Sequence, residues 1–165
     1  MAVIRDGLRP DAQRPGQAGR GISCSWFVVR VLQDAGIPLR RPRAFAGAIA
    51  VDIQHSLLDR DDRLYRRRGL SGPQLEAKLL ELGDGWYVLG LSRHVGLVQV
   101  RGDRAEFIHA SYLGDQTVAR EPVATSAAIA DSNYFVVSPL LTDRVVEAWR
   151  RQRPLDFRPL RRRSR

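Results

Sequence analysis

Three side chains in this 165-residue chain have the chemistry of a covalent hydrolase: the only cysteine, Cys24, and two of the three histidines, His94 and His109. Cys24 stands where a helix should begin. Ser23 is a helix N-cap, and Phe27, Val28, Val31, Leu32 and Ala35 recur at helical spacing until Gly36 stops the pattern. In the first turn of a helix, unpaired N–H groups and the positive end of the helix dipole favour a thiolate, which is the nucleophilic form of cysteine. A lone cysteine is also an ordinary core residue. The histidines therefore decide what Cys24 is for.

His94 opens one expected strand and His109 lies near the end of the next. If Arg101-Gly102-Asp103-Arg104 forms the hairpin loop, Val100 pairs with Ala105, and the same register sets His109 opposite Gly96 and His94 opposite Ser111. Both imidazoles then project from one face as diagonal neighbours, whereas a slip of one residue would separate them. Gly96 leaves room for the His109 ring. A cysteine and two histidines supply a nucleophile, a base and an orienting group. The alternative is that both histidines are half-buried strand residues with backbone partners. His55 falls within a helix that supplies no other chemistry and reads as a surface or packing residue. No acidic residue has the spacing to complete a metal site, so neither metal nor cofactor is expected.

The elements that must position these groups form an α+β chain. After the Cys24 helix comes a basic turn from Pro38 to Pro42. A second helix is expected over Arg43 to Asp59, with Phe45, Ile49, Ile53 and Leu57 on one stripe. The charged stretch from Arg60 to Gly69 reads as a loop or a frayed helix end. A third helix is announced by the Ser71/Gln74 capping box and by Pro73, with Leu75, Leu79 and Leu82 leading to Gly83. Strands are expected at Trp86 to Leu91, His94 to Val100, Ala105 to Ser111, Gln116 to Glu121 and Tyr134 to Ser138, with a turn at Leu113 to Asp115. A last helix from Thr142 to Gln152 should turn Val145, Val146 and Trp149 to the body. Helices followed by a meander predict N-terminal helices packed on an antiparallel sheet of about five strands.

The chain is long enough for one core, so residues 21–152 are expected to form a single domain, with 1–20 a flexible N-terminal segment and 153–165 an Arg-rich C-terminal tail. The formal charge of +9 comes mostly from that tail, since residues 150–165 hold eight arginines against Asp156 alone. The body is therefore nearly neutral. Such a tail is either a solvated end or a docking element for an anionic polymer. No standard nucleic-acid-binding motif accompanies it, and no apolar run approaches a membrane span. The first residues lack the apolar core of a secretory signal, which leaves the compartment and any preceding leader open. Oligomeric state is not legible.

The motifs Cys24-Ser25-x-Phe27 with Val31-Leu32-x-x-Ala35-Gly36-Ile37, then His94-Val95-Gly96-Leu97, then Phe107-Ile108-His109-Ala110-Ser111, resemble the NlpC family of papain-like cell-wall cysteine peptidases. The resemblance spans about Gly21 to Ser111. It implies a papain-like fold, with Cys24 as nucleophile, His94 as general base and His109 as the third member of the triad. Its substrate would be an amide bond in the stem peptides or crosslinks of peptidoglycan. Ser23 and Trp26 replace the family's usual Asp before the cysteine and its small residue two after, the upstream tyrosine is missing, and Gly85 to Leu91 replaces the usual entry to the sheet. These departures mark a divergent branch.

On this reading His94 keeps Cys24 as a thiolate, the thiolate attacks an amide carbonyl, and water releases the acyl-enzyme. Gln17, Ser25, Trp26 and Ser92 are candidate substrate-binding residues around the nucleophile. Each also has a plainer reading as a solvent, cap, turn or core residue. The runner-up function is a related amidase or acyltransferase on another substrate; from a different class, the rival is a non-catalytic, Arg-tailed nucleic-acid-binding protein.

Overall fold

A computed structural model describes residues 22–59, 62–110 and 118–160. Its elements in chain order are α1 (Cys24–Asp34), β1 (Leu39–Arg40), α2 (Pro42–Ala46), α3 (Ala50–Leu57), β2 (Tyr65–Arg68), α4 (Gly72–Glu81), β3 (Gly85–Gly90), β4 (Val95–Arg101), β5 (Arg104–Ala110), β6 (Val118–Pro122), a 3-10 turn at Val123–Thr125, α5 (Ala127–Ala130), β7 (Tyr134–Pro139), α6 (Asp143–Arg151) and β8 (Leu155–Asp156). Among the described residues this is an α+β fold with six helices and a six-stranded antiparallel sheet in the order β2-β7-β3-β4-β5-β6. β1 and β8 form a separate parallel pair.

Strand alternation divides the core in two. Val88, Val95, Leu97 and Ala110 face one way and pack with Phe27, Val28, Val29 and Leu32 of α1, Phe45 of α2, Ile53 and Leu57 of α3, and Val145 of α6. Tyr87, Leu89, Val98, Val100, Ala105 and Phe107 face the other way and pack with Leu75 and Leu79 of α4 and with Ala128 and Ile129 of α5. Each strand feeds both layers, which is why β3 and β4 are mostly apolar along their length. The capping box of α4 is formed as expected, Ser71 and Gln74 each satisfying the other's backbone.

Several expectations need correction. Arg43 to Asp59 is not one helix: α2 ends at Gly47, and Ile49 is an extended N-cap of α3, 53% exposed rather than on a buried stripe. The apolar period survived that break by coincidence. The stretch read as a loop holds β2, an edge strand whose three arginines keep its open side charged, with the Arg67 and Arg68 guanidiniums lying over the rings of Tyr65 and Tyr134. Leu82 is an exposed C-cap, and Trp149 is 51% exposed, while Ala148 takes the inward position in α6.

The larger correction concerns the C-terminus. Residues 155–160 are docked on the domain: Leu155 is buried and its N–H donates to the Pro38 carbonyl. Phe157 meets Phe45 edge to face with ring centroids 5.2 Å apart. Arg158 donates its N–H to Ser56 Oγ and its guanidinium to the Leu58 carbonyl, and the Leu160 N–H reaches Asp52. His55 Nδ1 lies 2.6 Å from the Arg158 carbonyl oxygen, so this histidine is a packing residue that holds the strap. Two apolar side chains, Leu155 and Phe157, anchor a segment whose composition reads as solvated. The N-terminal segment, the Leu113–Asp115 turn and the last five residues lie outside the described residues.

Candidate active site

The β4–β5 register is the one that the loop length predicts. Val100 pairs with Ala105 and Leu97 with Ile108, which carries on to Gly96 beside His109. A β-carbon at Gly96 would stand 2.7 Å from His109 Cβ and 2.7 Å from the Ile108 carbonyl oxygen, so the close approach of the two strands here requires glycine.

His94 and His109 are brought together. His94 Nε2 lies 2.8 Å from His109 Nδ1, with the two rings nearly perpendicular. His109 Nε2 in turn lies 3.1 Å from Glu121 Oε1, and Ser126 Oγ donates a short hydrogen bond to the same carboxylate oxygen. Phe107 stacks on the His109 ring at 4.4 Å and 16°, and meets His94 edge-on. Both imidazoles are buried. Burial, reinforced by the neighbouring His109, pushes the His94 pKa down to about 4. His94 is therefore a neutral imidazole near neutral pH.

Cys24 is the first residue of α1, half-buried, with Ser23 Oγ accepting from the Trp26 N–H as N-cap. The helix packs against β4, which follows His94, and β5, which holds His109. It does so on the face opposite the imidazoles, because its apolar residues meet Val95, Leu97 and Ala110 whereas His94 and His109 meet Phe107. The hydrogen bonds described for the imidazoles run to each other and to Glu121, not to the thiol.

The ends of the helix locate Cys24 along the sheet. The C-terminal half of α1, through Val31, Leu32 and Ala35, shares a small apolar cavity with Trp86 and Leu140, at the end of the sheet where β3 begins. At the other end, Ser25 Oγ donates to the Ala46 carbonyl, and four residues on Ala50 packs on Gly90, which pairs with Val95. His94 immediately precedes Val95. The start of α1 and the imidazole of His94 thus lie toward the same end of the sheet, on opposite faces of it.

An open pocket of about 590 Å³ adjoins His94, walled by Leu91, Ser92, Arg93, Asp131, Ser132 and Asn133 among others. Ser92 stands at its edge, its N–H and hydroxyl bonded to Ser132. Ser25, by contrast, is buried and its hydroxyl is engaged by Ala46, which makes it a support of the helix start rather than a cleft residue. Trp26 packs partly buried against the α1-side core. Gln17 lies outside the described residues. Glu121, Ser126 and Phe107 were not expected at the site. Phe107 sits within the motif Phe107-Ile108-His109, at the same-face spacing of two, whereas the position of Glu121 depends on a β5–β6 register that no tight turn signals.

Among the described residues no group of three or more His, Cys, Asp or Glu side chains is arranged to hold a metal ion, and no helix is long and apolar enough to cross a membrane. No protein-family model matches this chain, and neither a curated protein nor a solved structure matches it.

Proposed function

We propose that this chain is a cysteine hydrolase that cleaves an amide or peptide bond through an acyl-enzyme on Cys24, with His94 as general base and His109 as its orienting partner. The observation that carries the reading is the 2.8 Å contact between His94 Nε2 and His109 Nδ1. A base oriented by a second polar group, working with a thiol at a helix start, is what nucleophilic acyl transfer needs.

The steps follow from these groups. His94 Nδ1 accepts the Cys24 thiol proton as Sγ attacks the amide carbon, so the base becomes an imidazolium that His109 stabilises through Nε2. Backbone N–H groups of the first turn, those of Cys24 and Ser25, have no intrahelical acceptor and are the donors at hand for the oxyanion. Collapse breaks the C–N bond, and the leaving amine takes the proton from His94. Water then gives a proton to the same nitrogen and attacks the thioester, and cleavage of the C–S bond returns the thiol and a carboxylic acid. A neutral resting base suits this sequence, because the proton moves in concert with bond formation.

The finer reading is a papain-like domain acting on stem peptides or crosslinks of peptidoglycan. Its support is the resemblance of the three motifs around Cys24, His94 and His109, together with α1 packed on β4, which follows His94, and β5, which holds His109. Digestion of purified peptidoglycan, read by mass spectrometry, tests it. Wild-type protein should release peptide fragments with new amino and carboxyl ends, and Cys24→Ala should release none; identical digests from both would remove the proposal.

A further inference from the structure

We propose that Glu121 is a positioning residue of this site: its carboxylate fixes the tautomers of His109 and His94 so that Nδ1 is the unprotonated nitrogen of His94. An ionised carboxylate only accepts hydrogen bonds, so the contact between Glu121 Oε1 and His109 Nε2 puts the His109 proton on Nε2. A neutral His109 then has only a lone pair at Nδ1. The contact from His94 must consequently be a donation from its Nε2–H, and the second nitrogen of His94 is left as a base. One carboxylate thus sets the polarity of two consecutive hydrogen bonds.

The local structure is built for that purpose. Glu121 stands directly across from Phe107, and the small Ala119 stands across from His109, so the carboxylate reaches diagonally to the imidazole with nothing bulky between. Ser126 holds the carboxylate in place: its hydroxyl donates to Oε1 while accepting the Ile129 N–H as the N-cap of α5. The adjacent Arg120 points to the other face, where Glu106 and Gln99 bind it, and Glu121 forms no ion pair with an Arg or Lys among the described residues. Besides His94, His109 and Glu121, the charged residues Arg93 and Asp131 border the pocket beside His94. When His94 takes the thiol proton, the positive charge lies two hydrogen bonds from a carboxylate, through the buried His109 ring.

The tautomers belong to the protein without substrate, and only their catalytic consequence rests on the acyl-transfer reading. Nitrogen-15 NMR of histidine-labelled protein near pH 7 reads them directly. Expected are Nε2-protonated, Nδ1-bare rings for both His94 and His109 in the wild type. In Glu121→Leu the His109 ring should lose that single tautomer, with kcat/KM falling roughly 10- to 100-fold, as is typical when an outer partner is removed. Glu121→Gln, whose amide oxygen still accepts, should keep the wild-type tautomers and most of the activity. A protonated Nδ1 on His109 in the wild type, or unchanged tautomers in Glu121→Leu, would overturn the assignment. The expected spectra in a wild type that hydrolyses no amide would instead leave the relay standing and remove the acyl-transfer reading.

Discussion

Gly96 and His109 face each other so closely that a single added methyl group would stand 2.7 Å from His109 Cβ. Gly96→Ala should therefore push the β5 backbone and the imidazole away from His94. A cost of about 1–3 kcal/mol in stability is expected from overpacking of this kind, read by urea denaturation. Activity should fall by more than the stability loss explains, because the His94–His109 contact is lengthened. A variant as stable and active as the wild type would mean that the two strands can part without disturbing the pair.

Burial of His94 has a consequence for folding. Its pKa is about 4 in the fold against an ordinary value of 6.5, so between those limits the unfolded chain binds more protons at this residue than the native one. Stability from this group is complete above pH 6.5 and declines as the pH falls toward 4, by on the order of 3 kcal/mol. His94→Asn should flatten that part of the profile, so the wild type and variant should converge on acidification. Parallel profiles for the two proteins would place the His94 pKa near its ordinary value.

The same shift sets the acidic limb of catalysis. With His94 as base, kcat/KM should fall on acidification with an apparent pKa of about 4 rather than the unperturbed imidazole value near 6.5. Initial rates between pH 3.5 and 8 on a small soluble amide check this, using buffers of constant ionic strength. A limb centred on the ordinary histidine value would show that the imidazole charges readily in the fold.

The C-terminal strap is structural. Removing residues 154–165 strips away buried Leu155, the Phe157–Phe45 contact and the Arg158 bonds to α3, so a loss of about 3–5 kcal/mol is expected from the apolar burial alone. Phe157→Ala should cost a good part of that, as large core truncations do. Thermal melts of the three proteins decide it. Unchanged melting in both variants would return the segment to the role of a solvated tail.

Much of this fold was legible in the sequence, for identifiable reasons. β3, β4, β5 and β7 are bounded by turn residues, and the tight turn at Gly102-Asp103, closed by the Arg101–Arg104 pair, fixes the register that joins His94 to His109. The cap of α1 and the capping box of α4 are local signals that tertiary packing did not override. What was missed depends on long-range partners. β2 is three arginines on an edge strand, held by pairing with a strand some seventy residues later in the chain, and nothing local announces it. The docked C-terminus rests on Leu155 and Phe157 finding α2 and β1 from across the chain. Glu121 joins the site through a strand whose approach to β5 carries no tight turn, and the opposed faces of α1 and the imidazoles become visible only once the sheet is built.

The most direct measurement is intact-mass analysis of the protein after brief mixing with an activated acyl ester. The wild type should gain one acyl group, mapped by peptide digestion to Cys24, and lose it again on standing. Cys24→Ala should gain none, and His94→Ala should acylate at least 100-fold more slowly, within the range that a general base contributes. Acylation of Cys24 at the same rate with and without His94, in a correctly folded variant, would contradict the proposed pairing of thiol and imidazole.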